Sequence, residues 1–251
     1  MRDSRLAQDF VMADSPVESA RFGRRVRRYA LPGDDPAPLL NSLRSDPPDL
    51  AIVRLPTRRG ELITDLCALG GQLVLGDCRV IYTRDNLDSA RPAGTPDRAF
   101  RLRAADQADA PLLDSLVERI FAGYHTHYVS NPRLAPFPVT DGYKEWTRAH
   151  IGRGAQRCMI GELDSEPCAF TSVHLTPEAG EVVLNGVLPG FRGRGIYREL
   201  LRRTIDVFVD NGARTTVIAT QIDNRAVQRV WVTEGFHLTR SEYTIHINFG
   251  G

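Results

Sequence analysis

Residues 187–197 read Val187-Leu188-Pro189-Gly190-Phe191-Arg192-Gly193-Arg194-Gly195-Ile196-Tyr197 and contain three closely spaced glycines. This stretch follows a predicted strand at 181–188 and opens a predicted amphipathic helix at 196–211. Glycines permit the backbone angles that turn successive N–H groups toward one point, and the first turn of a helix leaves further N–H groups unpaired. With the helix dipole and the charges of Arg192 and Arg194, this pattern predicts an anion site suited to a pyrophosphate.

Two common phosphate-binding motifs do not fit this loop. The lysine and the Ser/Thr of a nucleotide-triphosphatase loop are absent, and so is the glycine spacing of a dinucleotide-binding fingerprint. Taken alone, the glycines favour a plain tight turn on an arginine-rich surface. The sequence on either side of the loop therefore decides between the two interpretations.

A second block strengthens the anion-site interpretation. It runs from Asn224-Arg225-Ala226-Val227 through Trp231 to Glu234-Gly235-Phe236. The two blocks, in this order and at this separation, resemble the GNAT superfamily of N-acyltransferases from about Ala99 to the C-terminus. The chain departs from the family pattern at Tyr197, where a small residue is usual, and at Trp231, where a tyrosine is usual.

The resemblance implies an α/β fold with a mixed, mostly antiparallel twisted sheet flanked by helices, and acetyl-CoA (coenzyme A) as cosubstrate. Backbone groups of Val187 and Leu188 would bind the pantetheine arm, and a backbone N–H near Leu188 would stabilise the oxyanion. The thioester would enter where the strands at 181–188 and 215–220 separate. The residues expected to hold the cofactor are Val187, Leu188, Arg192, Gly193, Arg194, Gly195, Ile196, Tyr197 and Asn224.

The catalytic groups are harder to assign. His127 is the first candidate for the base because histidine titrates in the required range and its loop precedes a helix that lines the acceptor site in the family. A polar loop residue is the alternative interpretation, and His174 is the second candidate. An indole cannot release a proton at neutral pH, so Trp231 cannot be the acid. Tyr197 and Tyr243 are the available phenols.

The acceptor is predicted from a further resemblance. A small α/β block ahead of the N-acyltransferase domain, an opening at 14–26 and an ending at 220–246 resemble the two-domain dTDP-fucosamine acetyltransferase group of aminosugar enzymes. This likeness implies a primary amine on a nucleotide-linked amino-deoxysugar. The alternatives are an acetyltransferase for an antibiotic, a small amine or a peptide N-terminus, and a non-catalytic acyl-CoA-binding sensor.

Two domains are predicted. Residues 1–92 alternate between strand and helix patterns and form a small α/β domain, interpreted as a truncated GNAT-like unit; residues 99–251 form the acyl-CoA-binding domain. A polar linker at 85–97 contains Pro92, Gly94 and Pro96 and joins them. The first 15 or so residues have no clear periodicity and are interpreted as a loose arm.

Charge and cysteine usage limit the partners. With 32 basic and 31 acidic side chains the formal net charge is +1, so no global field attracts nucleic acid or an anionic membrane. Four scattered cysteines, without a CxxC pair, predict free thiols and no metal centre. We expect a cytoplasmic protein with a small-molecule amine acceptor. The sequence leaves open whether the chain forms a homodimer.

Overall fold

The computed structural model describes residues 12–31, 33–87, 99–152 and 154–250. The strands are β1 (Met12–Asp14), β2 (Val26–Ala30), β3 (Leu50–Pro56), β4 (Gln72–Asp85), β5 (Phe100–Ala104), β6 (Gln156–Leu163), β7 (Glu166–Leu175), β8 (Ala179–Val187), β9 (Thr215–Gln221) and β10 (His237–Asn248). The helices are α1 (Pro16–Phe22), α2 (Ala37–Ser45), α3 (Leu62–Cys67), α4 (Ala110–Ile120), α5 (Val139–Ala149), α6 (Ile196–Asp210) and α7 (Arg225–Thr233). None of the described helices is long and apolar enough to span a membrane.

The chain forms two compact units. The first consists of Met1–Val80, His125–Pro138 and Arg240–Gly251, and the second of Ile81–Tyr124 and Val139–Thr239. These units combine separate segments, whereas the sequence predicts contiguous domains at 1–92 and 99–251. The boundary between those domains stays a prediction, and most of the proposed linker (88–97) and of the N-terminal arm (1–11) lies outside the described residues.

In the first unit, the neighbouring strands are β1, β2, β3, β10 from Arg240 onward and β4 up to Val80, in that order. Strand β2 is parallel to β3, and β10 is antiparallel to β3 with Thr244 opposite Arg54 and His246 opposite Ile52. Alternate residues on one face, including Val53 and Ile245, pack with α2 and α3 into a buried apolar cluster. The other face carries Arg28, Arg54 and His246. The predicted strand–helix alternation from 24 to 83 is confirmed.

In the second unit, the neighbouring strands are β4 from Ile81 onward, β9, β8, β7, β6 and β5, in that order. Strands β5 to β8 are antiparallel neighbours, and β9 runs parallel to β8 after the crossover through α6. Residues of α4 and of α6 contribute to two separate buried clusters against this sheet. This mixed, mostly antiparallel sheet flanked by helices confirms the predicted fold class.

Gly180 on β8 allows the close approach of α6. A Cβ added there would lie 2.3 Å from Cγ of Phe208, whose side chain is fully buried. We expect Gly180→Ala to lower the free energy of unfolding by about 2–3 kcal/mol, because the packed ring has no space to retreat. Urea denaturation measures this loss. Gly190→Ala is the matched control, since a Cβ at Gly190 meets nothing within 4 Å; equal stability of the two variants would contradict the prediction.

Candidate active site

Strands β8 and β9 separate part-way along their length. Their registered pairs run from Ala179–Thr215 to Val182–Ile218. Strand β8 continues to Val187 and β9 to Gln221, all described residues, without a further registered pair between them. We call the gap between residues 183–187 and 219–221 the β8–β9 opening. A separation of these two strands is what the resemblance to the N-acyltransferases implies.

The ladder to β7 determines which backbone groups of β8 face this opening. Phe170 lies opposite Gly186 and Thr171 opposite Asn185, and the Leu188 N–H donates to the Cys168 carbonyl at 2.8 Å. In an antiparallel ladder, successive residues direct their N–H and C=O groups to opposite sides. The groups of Asn185 and Val187 therefore point away from β7, toward the opening. The Leu188 N–H already has an acceptor, so an oxyanion donor on β8 has to come from Asn185 or Val187.

The loop after β8 presents a row of unpaired backbone N–H groups. A 3-10 turn at Pro189–Phe191 leads into Gly193 (φ 75°) and Gly195 (φ 80°), both in the left-handed region that favours glycine. None of the N–H groups from Gly193 to Arg198 has a hydrogen-bond acceptor among the residues that the structure describes. Because α6 is 15 residues long, its dipole adds to the attraction for an anion at this end.

The two arginine side chains of the loop contact other parts of the protein and so hold the loop in place. Arg192 Nε donates to the Val187 carbonyl at 3.2 Å and Arg192 Nη2 donates to the Ile120 carbonyl at 3.1 Å. The Arg194 guanidinium carbon lies 5.3 Å from the centre of the Phe191 ring. In this arrangement the backbone N–H groups are the direct hydrogen-bond donors for an anion. The guanidinium groups contribute positive electrostatic potential and hold the loop in place.

Glu234 joins the first two turns of α6 to the end of α7. Its carboxylate, with the side chain 2% exposed, lies 3.2 Å from Arg198 Nε and accepts hydrogen bonds from Arg202 at 2.8 and 3.1 Å. The following Gly235 has φ 83° and ends the helix. The Glu-Gly-Phe block is therefore a structural anchor for the helix that carries the loop.

Tyr197 and Trp231 meet beside the β8–β9 opening. The Trp231 indole N–H donates to the Tyr197 hydroxyl oxygen at 2.9 Å, and Asn185 Nδ2 lies 3.4 Å from the same oxygen. Desolvation raises the pKa of Tyr197 to about 12, and the hydrogen bonds from Trp231 and Asn185 act in the opposite direction. The phenol is thus protonated at neutral pH, with two donors facing its oxygen.

Asn224 lies at the N-terminus of α7, directly after the opening. Its Nδ2 donates to Thr220 Oγ1 at 3.0 Å, and its side chain makes no capping hydrogen bond to the helix. Its Oδ1 has no partner within the described part of the chain. The side-chain amide of Asn224 is therefore held in place by β9, and its oxygen can accept a hydrogen bond from a ligand.

The other two predicted catalytic residues belong to the first unit. His127 is buried, and its Nδ1 lies 2.8 Å from Nε2 of His246. Tyr243 lies opposite Leu55 on β3 and packs against the apolar cluster of that unit. Of the three catalytic candidates, Tyr197 shares a unit with the loop at 192–197, and the roles of His127 and Tyr243 stay predictions.

The histidine pair makes the stability of the first unit sensitive to acid. Burial, with a contribution from Arg54, holds the pKa of His127 well below its usual value and lowers the pKa of His246 to about 4. Unfolding returns both histidines to a pKa near 6.5, so the unfolded chain binds more protons below that pH. Stability is therefore complete above pH 6.5 and falls as the pH drops toward 4.

We expect His246 to account for a loss on the order of 3 kcal/mol in unfolding free energy between pH 6.5 and about 4. Urea denaturation at a series of pH values measures it. The control is His246→Gln, which keeps a hydrogen-bonding side chain but cannot titrate. An identical pH profile for the variant and the parent would contradict this assignment.

The sequence did not indicate a role for Asn185, the hydrogen bonds from the Arg192 side chain to two backbone carbonyls, or the contact between His127 and His246. Asn185 is the polar residue in the otherwise apolar second half of β8, and this position is a signal that could have marked it. The histidines are 119 residues apart, and no local pattern indicates their contact.

Comparison with known proteins agrees with this geometry. Residues 118–236, just under half of the chain, match the model of the Acetyltransferase (GNAT) family. The chain has the GNAT acetyltransferase fold. The matched segment runs from the end of α4 to Phe236 and so contains the β8–β9 opening and the loop at 192–197. The candidate site therefore lies within the segment that is similar to the GNAT acetyltransferases.

Individual relatives are distant. The spore coat polysaccharide biosynthesis protein SpsD of Bacillus subtilis (strain 168) is 24% identical over 148 residues, covering 59% of this chain and 50% of that protein. N-alpha-acetyltransferase 30 of Schizosaccharomyces pombe is 28% identical over 69 residues, covering 28% of this chain and 46% of that protein. The chain therefore spans about half the length of the curated relatives it matches.

A solved GNAT structure aligns over almost the whole length. The GCN5-related N-acetyltransferase from Kribbella flavida superposes with a TM-score of 0.59 at 13% identity, covering 98% of this chain and 91% of that chain. At this level of identity the likeness concerns the fold alone.

Proposed function

We propose that the chain is an acetyl-CoA-dependent N-acetyltransferase. The observation that carries the proposal is the junction of the β8–β9 opening with the loop at 192–197. An opening between strands accepts an extended arm, and the unpaired N–H groups beyond it accept a pyrophosphate. Coenzyme A combines these two shapes in one molecule, with the thioester at the far end of its arm.

In this proposal the backbone groups of Asn185 and Val187 pair with the pantetheine amides. The amides from Gly193 to Tyr197 hold the pyrophosphate, and Asn224 contacts the arm near the thioester. The Arg192 N–H, which the sequence also predicts as a donor, already donates to the Pro189 carbonyl. An unprotonated amine attacks the thioester carbonyl, and the carbon–sulfur bond breaks as the thiolate takes a proton.

Tyr197 is the proposed proton donor to the departing thiolate. It is the one phenol of the three catalytic candidates that shares a unit with the loop, and it reaches Asn185 on the open part of β8. His127 remains the sequence-based proposal for the base that accepts the ammonium proton, and Tyr243 the alternative for the acid. His127 is neutral at pH 7, as a base has to be.

The proposed acceptor is a primary amine on a nucleotide-linked amino-deoxysugar. The sequence likeness to aminosugar acetyltransferases supports it, as does the similarity to a relative named for spore coat polysaccharide biosynthesis. A second candidate, a peptide N-terminus, is favoured by the similarity to N-alpha-acetyltransferase 30, which covers only 28% of this chain. An antibiotic or another small amine as acceptor and a non-catalytic acyl-CoA sensor are the remaining alternatives.

Coenzyme A release, followed with a thiol reagent, tests these acceptors side by side. The panel contains dTDP-amino-deoxysugars, aminoglycosides, simple amines and peptides with free N-termini. We expect turnover with the dTDP-amino-deoxysugars. Turnover on peptides or aminoglycosides alone would contradict the sugar acceptor, and tight acetyl-CoA binding without turnover on any amine would favour the sensor.

A further inference from the structure

Trp231 occupies a fixed position against the Tyr197 hydroxyl. Its side chain is 1% exposed, and Tyr82 packs edge-on against it with 5.4 Å between the ring centres. The indole N–H has one direction in which to donate, and the Tyr197 oxygen lies there at 2.9 Å. An indole N–H is a donor only, so it cannot compete for the phenol's proton.

Asn185 approaches the same oxygen from β8. Its Nδ2 lies 3.4 Å from the Tyr197 hydroxyl and its Oδ1 lies 3.5 Å from it, the latter within reach of the phenolic proton. The phenol oxygen thus has two N–H donors from two different elements, α7 and β8. Because Asn185 lies past the last registered pair of β8 and β9, this cluster borders the opening.

We propose that Trp231 is a positioning residue that prepares Tyr197 to act as the general acid, by donating its indole N–H to the phenolate that remains after proton transfer. This inference rests on the proposed function, because it concerns the same site. It explains why a tryptophan can replace the usual tyrosine at 231 while a tyrosine stands at 197.

Every bond, proton and electron pair in the transfer step is accounted for. The amine nitrogen forms a bond to the thioester carbon, and the carbon–sulfur electron pair leaves with sulfur. The Tyr197 O–H proton moves to that sulfur, and the phenolate oxygen accepts hydrogen bonds from Trp231 and Asn185. The attacking nitrogen releases its proton to the base or to solvent, and solvent returns a proton to Tyr197. No oxidant or further reactant is required.

The test replaces Tyr197 with 3-fluorotyrosine and compares Trp231 with Trp231→Phe. The fluorinated phenol is more acidic than tyrosine, and fluorine NMR reports its ionisation directly, without turnover. Phenylalanine keeps a ring against Tyr82 but removes the N–H. We expect the phenol pKa to rise by about one unit in Trp231→Phe, because a donor to the charged form is lost. An unchanged pKa would overturn the proposal.

Tyr82→Phe is the matched control. The substitution removes the Tyr82 hydroxyl, which lies 3.3 Å from Gln228 Oε1, from a ring that packs against Trp231. The indole N–H of Trp231 stays in place. We expect the substitution to leave the fluorotyrosine pKa unchanged. A rise as large as that in Trp231→Phe would mean that packing, not the hydrogen bond, sets the pKa, and would also overturn the proposal.

Turnover provides the second readout, and Asn185→Ala covers the case in which Trp231→Phe fails to fold. With Tyr197 itself in place, we expect kcat to fall about tenfold in either variant, with the KM for acetyl-CoA within about twofold of the parent and an alkaline limb shifted to higher pH. A large rise in KM with unchanged kcat would contradict a role in proton transfer.

If the parent protein does not bind acetyl-CoA, the proposed function fails. The NMR titration still decides whether the Trp231 N–H lowers the pKa of the phenol.

Discussion

Replacing Gly193 with aspartate is expected to weaken acetyl-CoA binding by about a hundredfold, the largest change we predict for binding. The residue is the first in the row of unpaired N–H groups that are proposed to hold the charged pyrophosphate. A carboxylate within about 4 Å of that charge is repelled by roughly 4 kcal/mol at the effective dielectric near a protein surface, and salt reduces this energy. Isothermal titration calorimetry at low and high salt measures both the loss and its screening.

Gly193→Asn is the matched control for this variant. Asparagine has the shape of aspartate without its charge, and both tolerate the left-handed backbone at φ 75° better than other side chains. A Cβ at Gly193 meets no described atom within 4 Å, so neither variant is expected to disturb the fold. Affinity losses of equal size for Asp and Asn would mean that the loop does not hold an anion at this point.

Replacing Tyr197 with phenylalanine is expected to lower kcat by about a hundredfold while the dissociation constant of acetyl-CoA stays within about twofold of the parent. The variant removes only the hydroxyl, so the thiolate has to leave unprotonated or take its proton from water. Pre-steady-state acetyl transfer with the best acceptor of the panel separates this chemical step from product release.

Tyr82→Phe removes a hydroxyl from the ring that packs edge-on against Trp231 and is expected to change kcat by less than about threefold. A loss in kcat for Tyr197→Phe that is no greater than this would assign the acid role elsewhere. Tyr243→Phe would then be the next variant to measure, because Tyr243 is the alternative phenol.

Local sequence predicted the strand–loop–helix unit well because this unit is built from consecutive residues. The strand, the glycine loop and the helix start are neighbours along the chain, and the glycines with positive φ are necessary for the turn itself. Asn224 could be placed at a helix N-terminus for the same reason. The separation of β8 and β9 came from the resemblance to a family, since no residue pattern specifies where a ladder stops.

Contacts between distant segments were not predictable in the same way. Strand β10 pairs with β3 across about 190 residues, which places Tyr243 in the first unit. The Tyr197–Trp231 hydrogen bond joins two helices, so the sequence showed two departures from a pattern without showing that they touch. The His127–His246 contact is of the same kind, because a buried partner for a loop histidine depends on tertiary packing.

Amide hydrogen exchange with and without acetyl-CoA tests whether the loop after β8 holds the pyrophosphate of the cosubstrate. The N–H groups from Gly193 to Arg198 have no acceptor among the described residues, so they should exchange freely in the absence of the cosubstrate. We predict strong protection of these amides and of Asn185 and Val187 when acetyl-CoA is added. Binding that leaves the exchange of residues 193–198 unchanged would contradict the account.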